Sequence, residues 1–147
     1  ALSRSLFNSS NPGSNMPLCD SALEGVGLPK NSLDGWVGIS GPYVFNPLEI
    51  RYIKRIFETV EDNIDQARPI TFSRPDISPG LLLHGKKDRL VAPKNSVELL
   101  KSLEKHGAPI RYESFDLGHF DIVLSLGVGS IGSRNASKSI LDFIENL

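Results

Sequence analysis

Leu81-Leu82-Leu83-His84 is the run that most constrains how this chain folds. Three consecutive leucines leave no polar alternation, so a strand made of them must be covered on both faces, as in a parallel sheet held between helices. The run is too short for a helix and is bounded by Pro79-Gly80 and Gly85, which mark it as a strand. Beyond Gly85, Lys86-Lys87-Asp88 forms a turn that lifts an acid at the strand's end. A second strand-like segment, residues 110–115, is followed closely by Gly118-His119. In open parallel sheets, functional groups gather beyond the carboxyl ends of the strands. Asp88 and His119 are therefore expected at the same end of neighbouring strands, with room between them for one helix and one strand.

That helix is the clearest in the chain. Residues 93–106 place Val97, Leu99, Leu100 and Leu103 on one stripe, turn their lysines and glutamates to water, and stop at Gly107. Residues 33–40, with Trp36-Val37-Gly38-Ile39, read as an earlier strand stopped by Gly41-Pro42, and residues 133–147 as a last amphipathic helix through Ile140, Leu141, Phe143 and Ile144. Leu2, Leu6 and Phe7 suggest the tail of a helix begun earlier; residues 8–20 form a polar loop, and 21–28 a short helix ended by Gly27. Asn46-Pro47 resembles a helix start, followed by Leu48, Ile50, Ile53, Ile56 and Phe57. With the proline-broken stretch 68–79, residues 43–78 read as a cap-like excursion outside the central sheet. Strand, helix, strand, loop, helix is α/β order. Three strands are few for such a domain, so the fold expected is a single, incomplete α/β unit spanning 1–147.

A chain of 147 residues, 39% of them hydrophobic, can bury a real core. Its formal charge of −1 argues against a nucleic-acid surface or a polybasic membrane anchor. No apolar stretch approaches the ~20 residues that span a bilayer. The Ser/Asn-rich start lacks the apolar core of a signal peptide, which favours a cytoplasmic setting. The lone Cys19 forms no internal disulfide and reads as a bystander. No zinc-type Cys/His spacing, Gly-x-Gly-x-x-Gly or phosphate loop occurs, so no metal or organic cofactor is expected.

The pair is open to two readings from its residues alone. An Asp accepting from one imidazole nitrogen fixes the tautomer and leaves the other nitrogen to take a proton. Alternatively, Asp88 is a turn or helix-capping acid and His119 a loop histidine satisfied by backbone. Asp116 and Asp121 flank His119 and either tune it or bond the loop backbone. His84 reads as structural, and His106 as a histidine at a helix C-terminus. Tyr43, Phe45 and the 48–57 segment line a small pocket or belong to a helix core. Ser40 ends a strand upstream of Asp88, but Pro42 and the lack of a following helix fit a small residue near the site better than a nucleophile.

These stretches resemble the late part of α/β-hydrolases. The segment from Pro79 to Pro93 is similar to that family's acid-bearing strand and turn. Asn95-Ser96, Leu99-Leu100, Leu103 and Gly107, then Gly118-His119 and Ile140-Leu141-Asp142-Phe143-Ile144, continue the pattern. Gly38-Ile39-Ser40-Gly41-Pro42-Tyr43 is similar to the strand after the nucleophile elbow in carboxylesterase-like members, including feruloyl-esterase-like, kynurenine-formamidase-like and prenylcysteine-methylesterase-like enzymes. The resemblance covers residues 33–147. It implies that Asp88 is the acid and His119 the general base of a catalytic triad, acting on a small-molecule ester or amide. The family's nucleophile lies in Gly-x-Ser-x-Gly, in the order Ser, acid, His. No such pentapeptide occurs here, so the serine and the oxyanion loop are expected upstream of Ala1, and the missing N-terminal part becomes the implied partner. The chain alone should then be inactive. The competing reading is a non-catalytic relative that serves as a binding or interaction module.

Overall fold

The computed structural model describes Glu24 and residues 27–29, 32–46, 68–127 and 134–147. The readings made for residues 1–20 and for 48–57, and most of those for 21–28 and for the 43–78 excursion, lie outside them. Three strands, β1 (Trp36–Ile39), β2 (Gly80–Gly85) and β3 (Ile110–Phe115), form a sheet in the order β1-β2-β3. Both pairings are parallel, with Val37 opposite Leu81 and Leu82 opposite Tyr112. The helices are α1 (Lys94–Lys105), α2 (His119–Gly127) and α3 (Arg134–Ile144), and a 3-10 turn spans Pro69–Phe72.

The unbroken leucine run falls in the central strand, where every residue of β2 is buried. Alternation along the strand sends Leu82 to one face and Leu81 and Leu83 to the other. Leu82 packs with Trp36, Tyr43, Ile77, Leu99, Leu103 and Ala108, a core that α1 closes. Leu81 and Leu83 pack with Ile122, Ala136 and Phe143 beneath α2 and α3. Each fully buried leucine contributes roughly 2–3 kcal/mol. The result is an α/β unit in three layers, with helices on both faces of a parallel sheet.

The strand ends differ from expectation in detail. β1 is shorter than residues 33–40: it starts only at Trp36, and it stops at Ile39 because Ser40 takes φ +46°, a backbone geometry no strand continues. Before β1, Ser78 Oγ donates to the Leu33 carbonyl at 2.6 Å and the Trp36 indole N–H donates to the Ser78 carbonyl at 3.0 Å. These bonds fasten the proline-broken connector to the start of the sheet. The helix expected over 93–106 begins at Lys94 and ends where Gly107, at φ +74°, turns the chain into β3. On α3 the buried side is Ala136 and Phe143, while Leu141 and Ile144 face solvent. The largest departure is α2. The order strand, helix, strand, loop, helix puts a loop between β3 and the last helix, but the apolar run after His119 forms a helix with Ile122 buried and Val123 and Leu124 half exposed.

Candidate active site

Asp88 and His119 meet beyond the carboxyl ends of β2 and β3. Gly85 and Phe115 are register partners and are the last residues of their strands. The two loops are then stitched together: the Lys86 N–H donates to the Phe115 carbonyl at 2.7 Å, and the Lys87 N–H to the Leu117 carbonyl at 3.0 Å. Close approach at this point requires glycine. A Cβ on Gly85 would stand 2.3 Å from the Leu117 carbonyl oxygen. Gly118 precedes α2, and its N–H donates to Asp121 Oδ2 at 3.1 Å. This is the backward half of a capping box, and it fixes the helix whose first residue is His119.

His119 Nδ1 lies 2.7 Å from Asp88 Oδ2. The other carboxylate oxygen, Oδ1, accepts from the Leu90 N–H at 2.9 Å and the Val91 N–H at 2.8 Å. Asp88 thus makes its turn with one oxygen and meets the histidine with the other, so the two readings of this residue coexist. It does not cap α1, which starts from Pro93 without a side-chain cap. The carboxylate has no exposed surface. Burial pushes its pKa up, but the Val91 N–H, the His119 ring, the Leu90 N–H and the attraction of His119 outweigh burial and hold it below the ordinary 3.8. Asp88 is therefore the acceptor and His119 Nδ1 carries the hydrogen. The imidazole is 23% exposed, and its Nε2 has no hydrogen-bond partner among the described residues. The Phe120 ring meets it edge-on at 5.2 Å. Such a ring can take a proton at Nε2 while the carboxylate stabilises the imidazolium.

The remaining candidates separate cleanly. Asp116 pairs with Lys87 at 2.7 Å and Asp121 caps α2, so neither acid is bonded to His119. His106 sits behind α1 with Nδ1 2.7 Å from the Ser102 carbonyl. Tyr43 belongs to the core, and burial pushes its hydroxyl up to about 12 against a backbone hydrogen bond with Gly41. Ser40 is 2% exposed, and among the described residues its Oγ has no hydrogen-bond partner, His119 included. A cleft of about 690 Å³ opens between the 86–89 turn and Asp116, Gly118 and Asp121, but the His119 ring does not line it. No group of His, Cys, Asp and Glu suited to a metal ion occurs among the described residues, and no helix among them is long and apolar enough to cross a membrane.

Sequence reasoning missed how deeply His84 is tied in. Its ring is fully buried, with Nδ1 2.7 Å from Ser96 Oγ, Nε2 2.9 Å from the Val91 carbonyl and 3.5 Å from Asp88 Oδ2. The available signal was a histidine at the end of a fully apolar strand, where another aliphatic residue would suffice for packing.

No family model matches the sequence, and no curated protein matches it. Solved structures do. A truncated carbohydrate esterase from gut microbiota is similar over 78% of this chain and 42% of its own, at 22% identity and TM-score 0.58. Esterase 2 of the Planctomycetes species Thermogutta terrifontis, a thermophilic esterase, is similar over 77% of this chain and 40% of its own, at 16% identity and TM-score 0.56. The same esterase with propionate bound gives 15% identity and TM-score 0.56. The chain thus has the fold of part of an esterase domain, and spans about 40% of the length of these proteins.

Proposed function

We propose that this chain is the acid-and-histidine part of a serine carboxyl-ester hydrolase of the α/β-hydrolase type. The observation that carries this reading is the 2.7 Å contact between Asp88 Oδ2 and His119 Nδ1 at the ends of adjacent parallel strands, with Nε2 left open. The esterases that share the fold support it, and Thermogutta terrifontis esterase 2 is known with propionate or butyrate bound and phosphonylated by sarin.

On this reading a serine from outside the described residues attacks the acyl carbon. His119 Nε2 takes the serine proton while Asp88 holds Nδ1–H and stabilises the imidazolium. The proton is then delivered to the leaving alcohol. Water enters by the same route in reverse and releases the acid from the acyl-enzyme. Small-molecule esters, or amides of similar shape, are the substrates, and the rest of the hydrolase domain is the partner that supplies the serine and the oxyanion donors.

Hydrolysis of p-nitrophenyl acetate and labelling by a fluorophosphonate test the proposal. The 147-residue chain should be inactive, and the parent protein active and labelled. In the parent, Asp88→Ala should lower kcat by about 10⁴-fold and His119→Ala by about 10⁶-fold. A parent that neither turns over esters nor accepts the label is a binding module and ends the hydrolase reading. Turnover by the isolated chain, abolished in Ser40→Ala, would move the nucleophile to Ser40.

A further inference from the structure

His84 carries more hydrogen bonding than a packing residue needs. It closes the fully buried central strand, where a fourth aliphatic side chain would continue the leucine run. Burying an imidazole there is costly unless both nitrogens are satisfied. Both are, and their partners all belong to the segment that carries the acid. The Val91 carbonyl can only accept, so Nε2 holds the hydrogen, and in the neutral ring Nδ1 accepts from the Ser96 hydroxyl. Ser96 lies in the first turn of α1 and is itself fully buried. Val91 in turn donates its N–H to Asp88 Oδ1 at 2.8 Å.

The first half of the acid turn is held by the Lys86 and Lys87 N–H groups on the Phe115 and Leu117 carbonyls, while its side chains other than Asp88 add little burial. Lys86, Lys87, Arg89 and Leu90 are all exposed, and Val91 is half-buried. The Asp88 side chain itself touches two rings through one atom: Oδ2 is 2.7 Å from His119 Nδ1 and 3.5 Å from His84 Nε2. The second distance is too long for a full hydrogen bond, so the effect of His84 runs chiefly through Val91. The connected path is Ser96, His84, Val91, Asp88, His119. It links the sheet and the first turn of α1 to the ring that would move the proton.

We propose that His84 is a positioning residue for the Asp88–His119 pair, setting the acid turn through Val91 on one side and Ser96 on the other. The proposal rests on the hydrolase reading for its catalytic meaning, but its structural content stands on the path alone. A misplacement of the acid by a fraction of an ångström frees His119 to turn or to change tautomer, which is how a remote contact reaches the chemistry.

The test is the tautomer of His119 in the 147-residue chain, read from long-range ¹H–¹⁵N spectra at about pH 8.5, where imidazoles are ordinarily neutral. With three histidines in the chain, assignment is tractable. Wild type should show His119 as the Nδ1–H tautomer. His84→Gln keeps a donor where Nε2 stood and should keep that tautomer. His84→Leu removes both hydrogen bonds and should give a mixed tautomer at His119, with His106 unchanged as the internal control. In the active parent, His84→Leu should lower kcat roughly 10- to 100-fold with KM little changed, and His84→Gln should recover most of it. A folded His84→Leu chain with wild-type His119 signals overturns the proposal, as does His84→Gln behaving like His84→Leu. Should His84→Leu not fold, Ser96→Ala decides: a shifted His119 tautomer supports the path, and an unshifted one refutes it. An inactive parent with the tautomer coupling intact would remove the hydrolase reading and leave the positioning role of His84 in place.

Discussion

Protonating Asp88 would disturb three hydrogen bonds at once, because Oδ1 serves Leu90 and Val91 while Oδ2 serves His119. Burial favours the neutral acid, yet the hydrogen bonds prevail and the folded carboxyl titrates below 3.8. A depressed acid contributes stability that is complete above its unfolded pKa and is lost as pH falls through the folded one. Urea unfolding followed from about pH 6 to about pH 3 should therefore lose stability more steeply for wild type than for Asp88→Asn, and parallel curves would contradict this. Tyr43 gives the opposite sign. Burial lifts its pKa from 10.0 to about 12, so the stability it contributes is full below pH 10 and drains away between about 10 and 12. The loss should reach about 3 kcal/mol at most. Tyr43→Phe should flatten that limb in alkaline unfolding curves, and an unchanged limb would show that the phenol is not the group responsible.

Elements were legible where the pattern had one physical solution. The leucine run could be satisfied only in a strand covered on both faces, and the 3.6-residue stripe of α1 could be satisfied only in a helix. α2 escaped because Ile122-Val123-Leu124 is a contiguous apolar block with no period of its own, and length alone reads it as strand or loop. Its signal was at its start: Gly118 followed at the third helical position by Asp121, whose carboxylate reaches back to the Gly118 N–H. Asp121→Ala should cost about 1 kcal/mol in unfolding free energy. It should also speed hydrogen exchange at the first amides of α2, where His119 sits; unchanged exchange there would mean that the cap does not hold this end. At the site, the meeting of Asp88 and His119 was readable because both residues follow the ends of neighbouring parallel strands. The sharing of the two Asp88 oxygens and the His84–Ser96 contact were not, since they depend on the path of the 85–91 turn and on where α1 begins. For Ser40, no side-chain rule at the sequence level foretold its left-handed backbone.

At the scale of the molecule, the described residues leave apolar side chains in the open. Leu90, Phe120, Val123, Leu124, Leu141 and Ile144 are all at least half exposed, and Phe120, Val123 and Leu124 fall on one face of α2. The isolated chain should bind anilinonaphthalene sulfonate and should elute larger than a monomer as its concentration rises. A dye-silent, strictly monomeric chain would show that these side chains are covered in solution. The site itself does not share this openness. Every contact cited for holding the acid and histidine together, from the His84 ring to the Asp121 cap, falls between residues 84 and 121. A genetic crossover anywhere upstream of β2 would therefore pass the pair on whole, so a lineage could exchange everything before that strand while inheriting Asp88 and His119 as one uninterrupted piece of coding sequence.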